Sequence, residues 1–382
     1  MPAFHQIGHD SENLLFEEEL SRFGGAILSP LNYTPAEVIS QLERLRDRAN
    51  FVTVFDPHLY RPQSERGCLP RWDYYPADVD TADFSDEWWA PIVDSVAATA
   101  VRLGTSAVAS PAVVPRSFTD EYFLQLLANG ARLATALRGT TVRPIQTMVV
   151  NLPEIASVNR AMMVASVFSR SAIEDLMLVV LSPLEPRREL ADPEELKGVM
   201  RLIATLETGG QRVTVATSGP EMLLWKLAGA SNCATGKFFN LRRFTVSRFA
   251  EPEGAGGGQL PYWFEEGLLA FLRQSDVLRV RDRGLFSPAS MANPFAARIL
   301  EAITAGQPWV RWGWRKYLYW FADAEFRIAN SGQSPIDIIS TADDNWTNIE
   351  RGSPRLYMED RQNDGAWVRQ WLRAAVEFPY FV

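Results

Sequence analysis

The sequence predicts an α/β fold: a (β/α)8 barrel of the TIM type with a helical C-terminal extension. Three observations predict it. Six short apolar runs end in a polar residue followed within two positions by proline: Ser29-Pro30, Asp56-Pro57, Ser110-Pro111, Asn151-Leu152-Pro153, Ser182-Pro183 and Ser218-Gly219-Pro220. Proline cannot donate to a sheet ladder and turns its predecessor away from helix, so it stops a strand. Helical periodicity fills most of the intervals, which recur at roughly 30–50 residues, the rhythm of βα units on a parallel sheet. Val179-Val180-Leu181 is apolar on both faces, as a buried parallel strand should be. An open, doubly wound sheet is the alternative, but no GxGxxG follows the first strand to support a dinucleotide fold. Ligands of parallel α/β folds sit at the carboxyl ends of the strands, so the six endings outline an expected site.

The first strand is read at Gly24–Leu28. Thr34-Pro35 opens a helix, with Thr34 as N-cap, Pro35 at the first helical position and Glu37 completing a capping box. The second strand is Phe51–Phe55. A long loop, Pro57 to Asp86, follows, and its Trp72, Tyr74 and Tyr75 suggest an ordered lid. Ser85 and Glu87 start the next helix. The third strand is Ser106–Ala109, and Thr119 starts the helix after it. The fourth strand is Ile145–Val150, followed by helical residues 153–166. The fifth strand is Leu176–Leu181, and Asp192-Pro193 opens a helix ending at Gly209-Gly210. The sixth strand is Arg212–Ala216, with a helix from Pro220-Glu221 to Gly229. Residues 230–234 form a seventh strand. The eighth is sought near Phe238-Phe239 or Phe244-Thr245-Val246. Gly254 and Gly256-Gly257-Gly258 form a loop, after which 259–382 reads as helices rich in tryptophan. The chain thus divides into an N-terminal segment, 1–22, a barrel, 23–258, and an extension, 259–382.

At 382 residues, 47% hydrophobic and 22% charged, the chain can bury a sizeable core. A net charge of −8 argues against nucleic-acid binding by overall charge, while a local basic patch stays open. Cys68 and Cys233 make neither a disulfide framework nor a structural zinc site, which suits a reduced, cytoplasmic protein. The N-terminal residues carry no apolar signal core, and no apolar run is long enough to span a membrane.

Asp56 is the acid at a clear strand ending, and His58 follows two residues on, as an acid–base pair or, in the plainer reading, a turn opener. His5 and His9 lie in the N-terminal segment, away from any strand end, so neither a metal nor a cofactor is expected. Asn32 and Tyr33, with Ser110, Asn151, Ser182, Ser218 and Gly219, supply hydrogen-bonding groups at the expected mouth. No GxSxG elbow makes a serine nucleophile. Asn232 to Lys237 forms the densest cluster, where Gly236 would let amides approach an anion and Lys237 would supply charge. Arg242, Arg243 and Arg248, interleaved with phenylalanines, extend it into a basic strip over 237–248 for phosphate, RNA or DNA. A solvated loop with paired arginines is the plainer alternative. The tryptophans, Trp309, Trp312 and Trp314 among them, read as packing or as a surface for a protein partner or a second copy.

Gly219-Pro220-Glu221-Met222-Leu223-Leu224, then Gly229, then Asn232-Cys233, resembles part of the tRNA-guanine transglycosylase barrel over about 15 residues. The resemblance implies a (β/α)8 barrel that exchanges a base on a nucleic acid. It places the family's nucleophilic aspartate on Asn232, an amide, and this chain lacks the family's zinc cluster. The expected function is an enzyme on a phosphate- or nucleobase-bearing substrate, with Asp56 as base or nucleophile and Lys237 as anion holder. The alternative is a noncatalytic barrel that binds nucleic acid or serves in an assembly.

Overall fold

Eight parallel strands close a barrel in chain order: β1 (Phe4–Gln6), β2 (Gly25–Leu28), β3 (Val52–Phe55), β4 (Ala107–Ala109), β5 (Arg143–Asn151), β6 (Asp175–Leu181), β7 (Arg212–Val215) and β8 (Asn232–Thr235). The structure is a computed structural model that describes every residue except 1–2, 10, 63, 65, 77–84, 251–259, 353–355, 361–362 and 379–382. β1 closes the cylinder by pairing β2 on one side and β8 on the other, with Phe4 opposite Ala234 and His5 opposite Thr235. The barrel is therefore the expected (β/α)8 fold, but it begins 20 residues before the strand first read from the sequence.

The missing strand is β1, and the runs near Phe238 and Phe244 supply none. Three residues, Phe-His-Gln, are too few to show the alternation that marks a strand. The N-terminal segment thus belongs to the barrel wall, and His5 lies within a strand. Phe239–Leu241 and Val246–Phe249 are single 3-10 turns, and only Phe244 touches the sheet, as an isolated bridge to Leu181. Gly254 and Gly256–Gly258 lie outside the described residues.

The barrel helices are α1 (Pro35–Leu45), α2 (Asp86–Leu103), α3 (Asp120–Ala136), α4 (Leu152–Ile155), α5 (Val158–Phe168), α6 (Pro193–Thr208) and α7 (Met222–Leu227). Their starts follow local chemistry. Thr34 and Glu37 form the capping box, Ser85 and Thr119 accept N–H bonds from Trp88 and Tyr122, and Asp192 accepts from Glu194 and Glu195. Each cap satisfies amides that a helix start leaves orphaned.

The extension is not helical throughout. It opens with an antiparallel pair, β9 (Trp263–Glu265) and β10 (Ala270–Leu272). Then come α8 (Gln274–Asp282), α9 (Pro288–Ala292), α10 (Ala296–Thr304), α11 (Val310–Ser331), α12 (Pro335–Arg351) and α13 (Ala366–Glu377). Trp309, Trp320, Trp346, Trp367 and Trp371 are buried, so most of the tryptophans make core. Trp371 donates to the Leu190 carbonyl at 2.6 Å and Lys197 of α6 meets Glu377 at 2.7 Å, docking α13 on the barrel. In the long loop after β3, Trp72 and Tyr74 pack on Phe55, and the Trp72 indole donates to the carbonyls of Pro30 and Tyr33. That part is ordered, as its aromatic content suggests.

Candidate functional site

Asp56 follows the last residue of β3 and points into the carboxyl end of the barrel, 5% exposed. Its Oδ2 accepts the Tyr60 hydroxyl at 3.0 Å, and its Oδ1 accepts the His58 amide at 3.1 Å. Burial pushes the Asp56 carboxyl up to about 6, against the pull of those two bonds and the Arg248 charge. The expected pair with His58 stays in contact but makes no side-chain hydrogen bond. The His58 ring nitrogens have no hydrogen-bond partner among the described residues, and Nε2 stands 3.5 Å from Asp56 Oδ2. Two residues share a face only on a strand, and β3 ends at Phe55. The chain turns there, with His58 at φ 55°. Burial holds that imidazole well below its ordinary pKa, hence neutral, between the rings of Tyr60 and Phe249.

A second carboxyl cluster lies at the same end. Glu221, just after β7, and Glu189, in the loop after β6, both face Arg243, at 3.9 and 3.6 Å from Nη2. Burial raises both carboxyls, Glu189 to about 8; Arg243 opposes the shift in each, and the Gly219 amide, donating to Glu221 Oε1 at 3.0 Å, holds Glu221 toward the charged form. Arg243 is 4% exposed, yet its Nε and Nη1 have no hydrogen-bond partner among the described residues, and Glu221 Oε2 makes only the long ion-pair contact with Nη2. Unpartnered buried donors are costly, and each needs an explanation. Thr217, beside this cluster, also takes a left-handed φ of 52°. Strained backbone of this kind collects at functional sites.

Two spaces lie at this cluster, one lined by Glu189 and the other by Glu221 and Arg243. A crevice of about 260 Å³ runs between the barrel and the extension, lined by Arg187, Arg188, Glu189, Tyr262, Phe271 and Trp367 among others. The buried Trp367 indole N–H likewise has no partner among the described residues. A separate void of about 20 Å³, room for one water, is bounded by Ser182, Ser218, Glu221, Arg243 and Phe244. Phe244 lines this void and packs on Tyr60, with the ring centroids 4.9 Å apart.

The remaining expected site residues mostly hold backbone. Asn32 donates to Ser29 and Tyr33 to the Gly8 carbonyl. The Ser110 hydroxyl accepts from Thr147, that of Ser182 accepts from Leu184, and that of Ser218 donates to Val215. Asn151 donates to Glu154. Asn232 is the first residue of β8 and lies at the opposite end of the barrel, with its amide 3.3 Å from Thr214 Oγ1. It therefore shares no site with Asp56. Gly236 leaves no anion cradle, since the space a Cβ would take belongs to Leu241 and the Gln6 carbonyl.

The basic strip is a core feature. Lys237, Arg242, Arg243 and Arg248 are each 4–5% exposed. Lys237 sits over the rings of Phe238 and Trp314, and Arg242 lies on Tyr317 at 3.6 Å while donating to the Gly236 and Lys237 carbonyls. Charge and aromatic rings alternate in this strip because the rings solvate the cations inside the protein. Sequence reasoning missed Glu189, for which a loop position offers no signal, and took Glu221 for a helix start. The mark of Glu221 was its place directly after a strand-ending Ser-Gly-Pro.

Among the described residues no group of three or more His, Cys, Asp or Glu side chains is placed to hold a metal ion. No helix there is long and apolar enough to cross a membrane. Cys68 and Cys233 are both free.

The closed parallel cylinder and its interleaved helices define a (β/α)8-barrel protein. No family model and no curated protein sequence matches the chain. Solved structures similar to it include a type I 3-dehydroquinate dehydratase from Clostridium difficile (8% identity, 65% of this chain and 89% of that one, TM-score 0.36). A triosephosphate isomerase from Bartonella henselae is 12% identical over 62% of this chain and 92% of its own, at a TM-score of 0.34. An O-GlcNAc hydrolase from Thermobaculum terrenum is 9% identical over 99% and 95%, at 0.38. These likenesses are too distant to carry a function.

Proposed function

We propose that the chain is a barrel enzyme that performs acid–base chemistry at the carboxyl ends of its strands on a small phosphate- or nucleobase-bearing ligand. Arg243 carries this reading: a buried guanidinium with two N–H positions lacking a hydrogen-bond partner among the described residues, set between Glu221 and Glu189, of which Glu189 lines an open crevice. Phosphate oxygens or nucleobase carbonyls are the acceptors those donors suit. Tyr262, Phe271 and Trp367 offer aromatic walls for a base, and Arg187 and Arg188 offer charge at the outer end. Glu189, raised furthest, is the proton donor near neutral pH, and Glu221, bonded by the Gly219 amide, is the acceptor. Asp56, near 6, is the further carboxyl of the same mouth. Base exchange of the transglycosylase kind is the narrower form of this reading. In it a carboxylate bonds the sugar C1′ as the bond to the base breaks, and a second carboxyl protonates the leaving base. Asn232 has no part in it.

The small inner void favours a second reading, in which the barrel is noncatalytic and serves in an assembly. One series of measurements separates the two. Thermal melts are recorded with a nucleoside monophosphate, ribose 5-phosphate and free nucleobases, followed by exchange of a labelled base. The enzyme reading expects a raised midpoint with at least one of these, lost in Arg243→Met, and turnover lost in Glu189→Gln. An unchanged midpoint with every compound, or binding by Arg243→Met equal to the natural chain, defeats it.

A further inference from the structure

We propose a second small-molecule site at the opposite end of the barrel: a bore that takes a slim apolar molecule with one anionic head, of the class of a medium-chain aliphatic carboxylate. The interior of such barrels is ordinarily packed by layers of bulky branched side chains, and the end bearing the strand N-termini is closed. Here a cavity of about 430 Å³ opens at that end, within the size range of about 300–1,000 Å³ for small-molecule sites.

Strand register explains the hollow. Val52, Arg143, Asp175, Arg212 and Asn232 are the first residues of their strands and form the outer layer. Ile27, Val54, Ile145, Met177 and Thr214 form the layer above, two residues on from Gly25, Val52, Arg143, Asp175 and Arg212 and so on the same face. The outer layer does not plug the bore. Gly25 contributes no side chain, because a Cβ there would meet the Phe4 ring at 2.3 Å. Arg143 and Arg212 are about half exposed and bind the same carboxylate, Asp175, at 3.1 and 2.7 Å. Arg212 also stands 3.3 Å from the exposed Glu174.

The wall is apolar, the Phe4 ring standing beside the aliphatic side chains, apart from one step, the Asn232 amide against Thr214. The rim carries two guanidiniums, each with N–H donors beyond those Asp175 takes. An apolar wall leading to a guanidinium rim fits a hydrocarbon tail with a carboxylate head, and burying the tail supplies the affinity.

Decanoate and decanol are the probes, measured by calorimetry on the full chain. Decanoate is expected to bind one per chain and to be lost in Val54→Phe and Met177→Phe, which fill the bore, at unchanged circular dichroism. Arg143→Gln with Arg212→Gln should weaken decanoate about tenfold while leaving decanol unchanged, the loss of a charged hydrogen bond. Failure of both probes to bind overturns the site, as does binding that survives the filling substitutions. Should those variants unfold, the arginine pair decides alone: a loss confined to decanoate upholds the proposal, and equal affinities for the natural chain and the double variant overturn it.

Discussion

The carboxylate of Glu325, on α11, accepts the backbone N–H of Cys233, on β8, at 2.9 Å. Lys226 of α7 stands 3.4 Å from the same oxygen and also donates to the carbonyls of Ala230 and Ser231. Glu325 is fully buried, so a charge of the extension is built into the barrel wall. Glu325→Ala takes the ion-pair partner from Lys226, leaving it two carbonyls, and strands the Cys233 amide, and should cost about 3–5 kcal/mol. Glu325→Gln keeps an acceptor and should cost less. Urea denaturation measures both; a loss near zero for the alanine variant would detach the extension from barrel stability.

Stability should fall as pH rises from about 6.5 to 8. Burial raises the carboxyls of Asp56, Glu325 and Glu189 to about 6, 7 and 8, from ordinary values of 3.8, 4.5 and 4.5. These carboxyls bind more protons folded than unfolded, so their share of the free energy of unfolding declines with pH, while His5, lowered to about 3, and His58, also lowered by burial, oppose that decline below about 6.5. The carboxyl contribution is fully present below the ordinary values and is lost through the raised ones. Lys316, lowered by burial to about 8, acts oppositely above that pH. Melting midpoints from pH 5 to 9 test this, and Glu189→Gln should flatten the upper part of the slope. A midpoint that rises over pH 6.5–8 contradicts the assignment.

Tyr60→Phe removes the hydroxyl that holds Asp56 toward its charged form. The Asp56 pKa should move up from about 6, and stability should drop by about 1–3 kcal/mol as a buried acceptor loses its partner. A carbon-detected NMR titration of the Asp56 carboxyl reads the first and chemical denaturation the second. A pKa that moves down would show that another group sets it.

Gly67 has φ 65°, and a Cβ there would lie 2.1 Å from the Leu31 carbonyl oxygen. Gly104 has φ 70°, and its added Cβ would meet nothing within 4 Å. Gly104→Ala should cost about 1–2 kcal/mol, the left-handed backbone alone. Gly67→Ala should cost clearly more and expose the loop after β3 to protease. Equal costs for the two would mean that the loop is not seated on Leu31.

Strand stops and helix caps were legible because they act within a few residues. Proline after a polar residue ends β3, β4 and β6 where expected, and Thr34, Ser85, Thr119 and Asp192 cap the helices they precede. Asp56 was visible as a site residue for the same reason, since an acid directly after an apolar run marks the carboxyl end of a strand. β1 was not, because three residues carry no period, and its place is set by the edges of β2 and β8 that it joins. Asn232 shows the same limit: it opens β8, and a four-residue strand carries too little pattern to fix where it begins. The arginines over 242–248 read as a surface strip, since the rings, carbonyls and carboxyls that let them enter the core come from distant elements. Glu189 and Glu221 become a pair only when the loops after β6 and β7 close on Arg243. Local sequence sets backbone conformation through sterics and nearby hydrogen bonds, whereas burial and charge pairing depend on which distant segments the closed barrel brings together.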